Sequence, residues 1–133
     1  MAVVRFGVSL EKELLNELDN FVAQNQFTNR SQAIRQLITN KLVKKKTEEN
    51  KEVAGAITLV YDHHKRDLLN KLADIQHDFY DIILSAQHFH LDHDNCLEII
   101  AVRGKAFRLQ NLANKLISLK AIQHGNLSIN NDK

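Results

Sequence analysis

The residues best suited to chemistry lie close together between positions 88 and 96. His88 and His90 are separated by one residue, and Cys96, the single cysteine of the chain, follows shortly after them. Imidazole nitrogen and thiolate sulfur bind late first-row divalent ions, and geometry selects among nickel, copper and zinc. The pattern therefore predicts a metal site without identifying its ion.

A pair of strands would bring these three side chains together. If residues 82–91 form a strand, His88 and His90 point to the same face, roughly 7 Å apart along the chain. Residues 91–95 then form a tight turn, and a return strand beginning at Cys96 places the thiol beside the two histidines. One hairpin thus supplies three ligands.

Two other interpretations of these residues stay open. His88 and His90 can be ordinary strand residues, His93 a solvated turn residue and Cys96 a small core side chain. A catalytic cysteine–histidine pair is the second alternative, but no separate orienting group or glycine turn for an oxyanion accompanies the cysteine. The spacing of two histidines and the sole cysteine favours a metal site over these two alternatives.

Length and composition indicate a small protein that assembles. A chain of 133 residues fits one domain or two small ones, and small domains bury little surface alone, so we expect oligomers. No apolar run approaches the ~18 residues of a membrane span. Arg5 and Glu11 interrupt the N-terminal region in which a signal peptide would need a continuous apolar stretch. We expect a cytoplasmic protein, with no membrane partner and a reduced, free thiol.

The charges and histidines divide the chain into two chemically different parts. Basic residues outnumber acidic ones only before residue 50, whereas all seven histidines come after it. This division predicts two separate tasks, one for each part.

The elements of the first part are a strand and two helices. Residues 3–10 alternate, with Val4, Phe6, Val8 and Leu10 on one face, and this strand has no partner in its own chain. Helical periodicity follows at residues 11–24 and 33–42, the second run being preceded by capping residues. The order predicts a ribbon-helix-helix dimer, in which two such strands pair and enter the major groove of DNA.

Side chains on the outer side of this ribbon would face the bases. Arg5 is the best candidate for a bidentate contact with guanine. The free amides at the start of the second helix would hold a phosphate group. The residues assigned to DNA are Arg5, Gly7, Ser9, Asn29, Arg30 and Ser31.

The second part alternates between strands and helices. Strands are predicted at residues 53–62, 82–91, 96–103 and 122–129, with helices at 66–78 and around 109–117. The order β-α-β-β-α-β is that of a ferredoxin-like sheet with both helices on one face, which makes the whole chain α+β. We assign residues 1–46 to a ribbon-helix-helix DNA-binding domain, 47–52 to a linker and 53–133 to the metal-binding domain.

The chain resembles the nickel-responsive ribbon-helix-helix transcriptional regulators, whose C-terminal domain is of the ACT type. The matching stretches run through both parts in the family's order. They are Arg5–Leu10, Asn29–Arg35, Tyr61–Leu68, Ile75–His77 and His88–Glu98.

The resemblance implies a homotetramer, a dimer of dimers, that binds double-stranded operator DNA. It implies one Ni²⁺ per subunit, held in a planar site by His88, His90 and Cys96 of one chain and by His77 of a neighbouring chain. Gln76 and Glu98 would hydrogen-bond to those ligands from outside. The spacing argument supplies the first three ligands and not His77.

The chain departs from the family's pattern at three positions. Gln32 and Gln36 stand where relatives often carry acidic residues, which puts the family's cation site between the two domains in question. Gly7 stands where some relatives carry threonine or serine, so the operator sequence does not carry over.

The resulting hypothesis is a non-enzymatic regulator that represses nickel-uptake genes when nickel is bound. The same fold could sense copper or cobalt instead. A metalloenzyme or metal-storage protein would not need the paired strand and the basic N-terminal part. An antitoxin-like protein of the ribbon-helix-helix class would not need the metal ligands.

Overall fold

The computed structural model describes residues 2–130, in which four helices and four strands follow one another. A short 3-10 helix, Tyr80–Ile82, precedes the second strand. The chain divides into two compact units between Lys41 and Leu42. The bounds are α1 Lys12–Gln24, α2 Arg30–Glu48, β1 Glu52–Asp62, α3 Arg66–Asp78, β2 Ile83–His90, β3 Asn95–Lys105, α4 Ala106–Ile117 and β4 Ile122–Asn130.

The segment before α1 is neither helix nor strand in the single chain. Residues 2–10 are exposed, and Phe6 and Val8 leave 71% and 58% of their surface in solvent. A strand needs a neighbour for its backbone hydrogen bonds, and the sequence offers this one only the same segment of another chain. The ribbon therefore stays a prediction, and it concerns two chains.

The start of α2 is fixed by two reciprocal hydrogen bonds. The Asn29 carboxamide oxygen accepts the backbone N–H of Gln32 at 2.9 Å, and the Gln32 carboxamide oxygen accepts the backbone N–H of Thr28 at 2.6 Å. Together they satisfy two backbone donors near the helix start, as a capping box does. Asn29 thus caps the helix, as the sequence predicts.

The second helix extends into the segment assigned to a linker. The hydroxyl of Thr47 donates to the Val43 carbonyl, and the Glu49 amide donates to the Lys45 carbonyl, so the helical turn continues to Glu48. With β1 beginning at Glu52, only residues 49–51 lie between the two elements.

The C-terminal unit is a four-stranded antiparallel sheet in the order β2-β3-β1-β4. Buried side chains alternate along β1 and β3, because the helices cover only one face. Leu109, Leu112 and Leu116 of α4 fill that face and are fully buried. Each such leucine stabilises the fold by about 1.5–3 kcal/mol. The predicted ferredoxin-like arrangement is confirmed.

The strand boundaries differ from the prediction by one residue at most ends and by two at the end of β3. The strand predicted at residues 96–103 continues through Gly104 and Lys105, which pair with Val53 and Glu52 of β1. The long first strand offers these two residues backbone partners, so the ladder runs on until α4 begins at Ala106.

Candidate metal centre and DNA-contact residues

The three metal ligands predicted on the hairpin lie side by side on the sheet. In the β2–β3 ladder His90 is opposite Cys96, and His88 is opposite Glu98. Residues directly opposite in an antiparallel pair project from the same face. Cys96 and Glu98 belong to the buried set of β3, so all four side chains lie on the face that the helices cover.

Glu98 is the centre of a hydrogen-bonded cluster beneath His88. Its carboxyl group is 1% exposed and accepts the Tyr61 hydroxyl at 2.6 Å and the Gln76 carboxamide N–H at 2.8 Å. The His88 Nε2 atom lies 3.2 Å from the same carboxyl group. We call Tyr61, Gln76, His88 and Glu98 the Glu98 cluster.

The phenol of Tyr61 is kept protonated in this cluster. Burial raises the pKa of Tyr61, and the hydrogen bond to Glu98 raises it further. The hydroxyl therefore remains a donor at neutral pH. This role of Tyr61 does not follow from the sequence, because its partner lies 37 positions away.

The Glu98 cluster orients His88. A histidine that binds a metal ion usually has its other ring nitrogen held by a carboxylate, which fixes the ring and strengthens the ligand. Glu98 lies at the Nε2 edge of His88, so Nδ1 is the nitrogen left for an ion.

Cys96 is buried but lies at the edge of the core. It is 3% exposed, and its Sγ is 3.7 Å from the Leu97 carbonyl oxygen. Within residues 2–130, no three His, Cys, Asp or Glu side chains converge on a point where a metal ion would sit. One chain thus presents suitable donors on one face of the sheet without closing a complete site.

His77 points away from this face in its own chain. It follows Gln76 on α3, and successive helical residues diverge, so Gln76 reaches Glu98 while His77 is exposed. The His77 ring stacks on Tyr80 with centroids 6.4 Å apart. Its assignment as a ligand of a neighbouring chain's ion stays a prediction.

The end of β1 and the β2–β3 turn form a second group of histidines and carboxylates. The Nδ1 atom of His64 lies 3.1 Å from Asp62 and 3.6 Å from Asp94. The His63 ring meets the His90 ring edge-on, with centroids 4.9 Å apart. This packing is not among the sequence predictions, although two adjacent histidines at the end of a strand could have indicated it.

The turn before Cys96 is held by Asp92. Its carboxylate accepts the backbone N–H groups of Asp94 and Asn95 and the side chain of Asn95, at 2.8–3.1 Å. These bonds, with that of the Asn95 side chain foremost, lower the pKa of Asp92. The predicted tight turn is confirmed, and it fixes the point at which Cys96 enters β3.

The candidate DNA-contact residues differ in whether a hydrogen bond within the chain already engages their side chains. Arg5, Gly7, Ser9 and Ser31 are exposed. Arg30 is engaged within the chain, because its guanidinium makes two hydrogen bonds to the Asp19 carboxylate at 2.8 and 3.0 Å. That hydrogen bond lowers the pKa of Asp19. A phosphate contact by Arg30 would have to compete with this ion pair.

The two glutamines that depart from the family pattern form hydrogen bonds with residues close to them in the chain. Gln32 completes the capping box of α2, and the Gln36 carboxamide donates to the Asn40 side chain at 2.9 Å. Their amide groups therefore have structural roles within the helix.

Replacing Glu98 by alanine is expected to destabilise the C-terminal unit. The hydroxyl of Tyr61 and the amide of Gln76 would lose their acceptor, and a fully buried donor left unpaired, as the Tyr61 hydroxyl would be, costs about 1–3 kcal/mol. Urea unfolding measures the loss, with Glu52→Ala at the exposed start of β1 as the control. An unchanged unfolding midpoint for Glu98→Ala would show that the cluster contributes nothing to stability.

Each of the two units matches a known protein family. Residues 54–130 match the family described as the NikR C-terminal nickel-binding domain, and residues 4–45 match the ribbon-helix-helix proteins of the copG family. None of the helices among residues 2–130 is long and apolar enough to cross a membrane.

Two relatives match along nearly the whole length. One, from Syntrophus aciditrophicus, is 58% identical over 96% of this chain and 93% of its own. Another, from Chlorobaculum tepidum, is 50% identical over 94% and 93%. Both are named as nickel-responsive regulators. An uncharacterized protein from Thermotoga maritima is similar in fold, with a TM-score of 0.53 at 11% identity over 59% of this chain and 98% of that chain.

Proposed function

The chain belongs to the nickel-responsive regulators of the ribbon-helix-helix class, which are transcription factors and not enzymes, and we propose that it represses nickel-uptake genes when nickel is bound. The C-terminal unit is a nickel-binding domain, and the N-terminal unit is a DNA-binding domain. The proposal joins these two properties in one switch.

The proposed nickel site contains one Ni²⁺ per subunit. Its ligands are His88, His90 and Cys96 of one chain and His77 of a neighbouring chain. The observation that carries the proposal is the placement of His90 opposite Cys96, next to a His88 ring that Glu98 already orients. When bound, nickel supplies a rigid link between side chains of two subunits.

The donor set limits the choice of ion. Three imidazoles and one thiolate suit ions that accept planar coordination, nickel and copper among them. Zinc prefers tetrahedral surroundings. An absorption titration distinguishes nickel from zinc, because a planar nickel–thiolate site gives charge-transfer bands that a zinc site lacks.

The proposed DNA-binding form is a homotetramer, a dimer of dimers. Pairing of residues 3–10 between two chains would bury the apolar side chains of that segment and present Arg5 to the bases of double-stranded operator DNA. Nickel bound between subunits would favour the tetramer conformation in which both DNA-binding dimers engage one operator. Gel shifts with and without nickel test this directly. Equal operator binding in both conditions would contradict the proposed switch.

Arg5→Ala is expected to weaken operator binding by about 1–3 kcal/mol and to reduce discrimination between sequences. The physical reason is loss of a bidentate contact to a base edge. Titration of labelled operator and random DNA measures both effects. Lys44→Ala is the control, since loss of a phosphate contact should weaken all sequences alike. Equal losses on both DNAs for Arg5→Ala would assign Arg5 to the phosphate backbone.

A further inference from the structure

The turn between α2 and β1 is built around Asn50. Its backbone φ of 54° lies in the left-handed region, which asparagine adopts more readily than most residues. The Asn50 N–H donates to the Thr47 carbonyl at 3.1 Å, and the Lys51 N–H donates to the Lys46 carbonyl at 2.8 Å. This pair of bonds is the Schellman motif, which satisfies carbonyls in the last turn of a helix.

The same turn caps α4. The carboxamide oxygen of Asn50 accepts the Phe107 N–H at 2.9 Å, and the Lys51 carbonyl accepts the Ala106 N–H at 3.0 Å. Lys105, the residue before α4, makes no side-chain cap. The acceptors for the first two amides of α4 therefore come from a turn far earlier in the chain. We call Asn50, Lys51, Ala106 and Phe107 the α2–α4 joint.

The joint lies within the C-terminal unit. That unit begins at Leu42, so it contains the last part of α2. Glu52, the first residue of β1, pairs with Lys105, the last residue of β3, and both are next to the joint in sequence. Hydrogen bonds thus fasten the end of α2 to the sheet and to α4.

One strand connects the joint with the proposed nickel ligands. Strand β3 carries Cys96 near its start and ends at Lys105, beside the joint. All eleven of its residues pair with β1. Rigid elements and hydrogen-bonded contacts of this kind carry coupling between distant sites. A shift of β3 that begins at Cys96 would therefore reach the end of α2.

The turn itself does not require asparagine at position 50. Glycine adopts the left-handed conformation without a steric cost and is the usual residue at this place in the motif. Only a residue whose side chain carries an acceptor can bind the Phe107 amide as Asn50 does. The Asn50 carboxamide therefore serves the contact with α4, which is separate from the turn.

We propose that Asn50 is a positioning residue for the nickel response. Its contact with α4 holds the end of α2 to the C-terminal unit, so that movement at the nickel site is transmitted to a helix that begins in the DNA-binding unit. None of the proposed nickel ligands or DNA-contact residues belongs to the joint. The inference rests on the proposed function and adds the contact that couples its two halves.

The test compares DNA binding by the full-length protein with and without nickel. The probe is a labelled duplex selected from random sequences by the nickel-loaded wild type, and the quantity is the ratio of the two affinities. Asn50→Gly keeps the turn and removes the contact, so it should lower this ratio at least about fivefold. Its nickel affinity, measured by competition with a chelator, should equal that of wild type. Asn50→Asp keeps an acceptor and should retain the ratio.

The matched control is Ser118→Ala, at the opposite end of the same helix. It removes the hydrogen bond from the Ser118 hydroxyl to the Lys115 carbonyl at 3.1 Å. This variant should respond to nickel as wild type does. Thermal melting verifies that each variant is folded, as we expect for Asn50→Gly because glycine suits the turn.

The outcomes separate this inference from the proposed function. If wild type binds the duplex equally with and without nickel, the proposed function fails and the inference fails with it. If wild type responds and Asn50→Gly responds equally, only the inference is overturned. Loss of the response in Asn50→Asp would also overturn it, because the acceptor would then be irrelevant. Loss in Ser118→Ala would do the same, because the effect would then come from the stability of α4.

Discussion

Cys96→Ser is expected to abolish most of the nickel affinity. A serine hydroxyl keeps its proton at neutral pH and is a hard ligand, whereas the thiolate is a soft, charged one. The loss should exceed the roughly 10- to 100-fold that removing an outer hydrogen-bond partner costs. Competition titration against a chelator measures it, together with the disappearance of the nickel–thiolate charge-transfer bands.

The control for this variant is His124→Ala, which removes an exposed imidazole from β4, away from the hairpin of β2 and β3. It should bind nickel as wild type does. Nickel affinity of the wild type should also fall as the pH falls, because thiol and imidazole groups must release protons to bind the ion. If Cys96→Ser binds nickel as tightly as wild type, the proposed site is wrong.

Mixing two inactive variants is expected to restore tight nickel binding. His77→Ala lacks the ligand on α3, and a variant without the three hairpin ligands lacks the others. In a mixed oligomer the intact hairpin of one chain meets the intact His77 of the other. The second variant is His88→Ala/His90→Ala/Cys96→Ala.

The measurement is nickel affinity of each parent and of the mixture after subunit exchange. Recovery only in the mixture would assign His77 to the neighbouring chain. Wild type should also assemble more tightly with nickel, because an ion that binds only the assembled state stabilises it. If mixed oligomers form and bind no nickel, His77 is not a ligand in trans, and nickel loses its proposed link between subunits.

Periodicity predicted α3, α4, β1 and β3 because each of them is amphipathic along its own length. The helix expected at residues 66–78 is α3, Arg66–Asp78. The pairing of β2 with β3 also followed from local sequence, since a tight turn joins them. These features depend on residues that are near one another in the chain.

The Glu98 cluster could not be predicted in the same way. Tyr61 and Gln76 lie 37 and 22 positions from Glu98, and the fold alone brings them to its carboxyl group. Resemblance named Gln76 and Glu98 as outer partners but did not give their contacts. The ion pair of Arg30 with Asp19 likewise depends on tertiary structure. It engages guanidinium N–H groups that would otherwise be available to a DNA phosphate.

The exposed apolar segment at residues 2–10 has a consequence for how the response depends on protein abundance. In one chain most of its apolar side chains stay exposed, from 58% for Val8 to 90% for Val3, so under the proposed pairing two chains must meet before either can read a base. The concentration of the DNA-reading surface then depends on the square of the concentration of free chains. Dilution dissociates the pair by mass action. The number of copies in the cell becomes an input to the response alongside nickel.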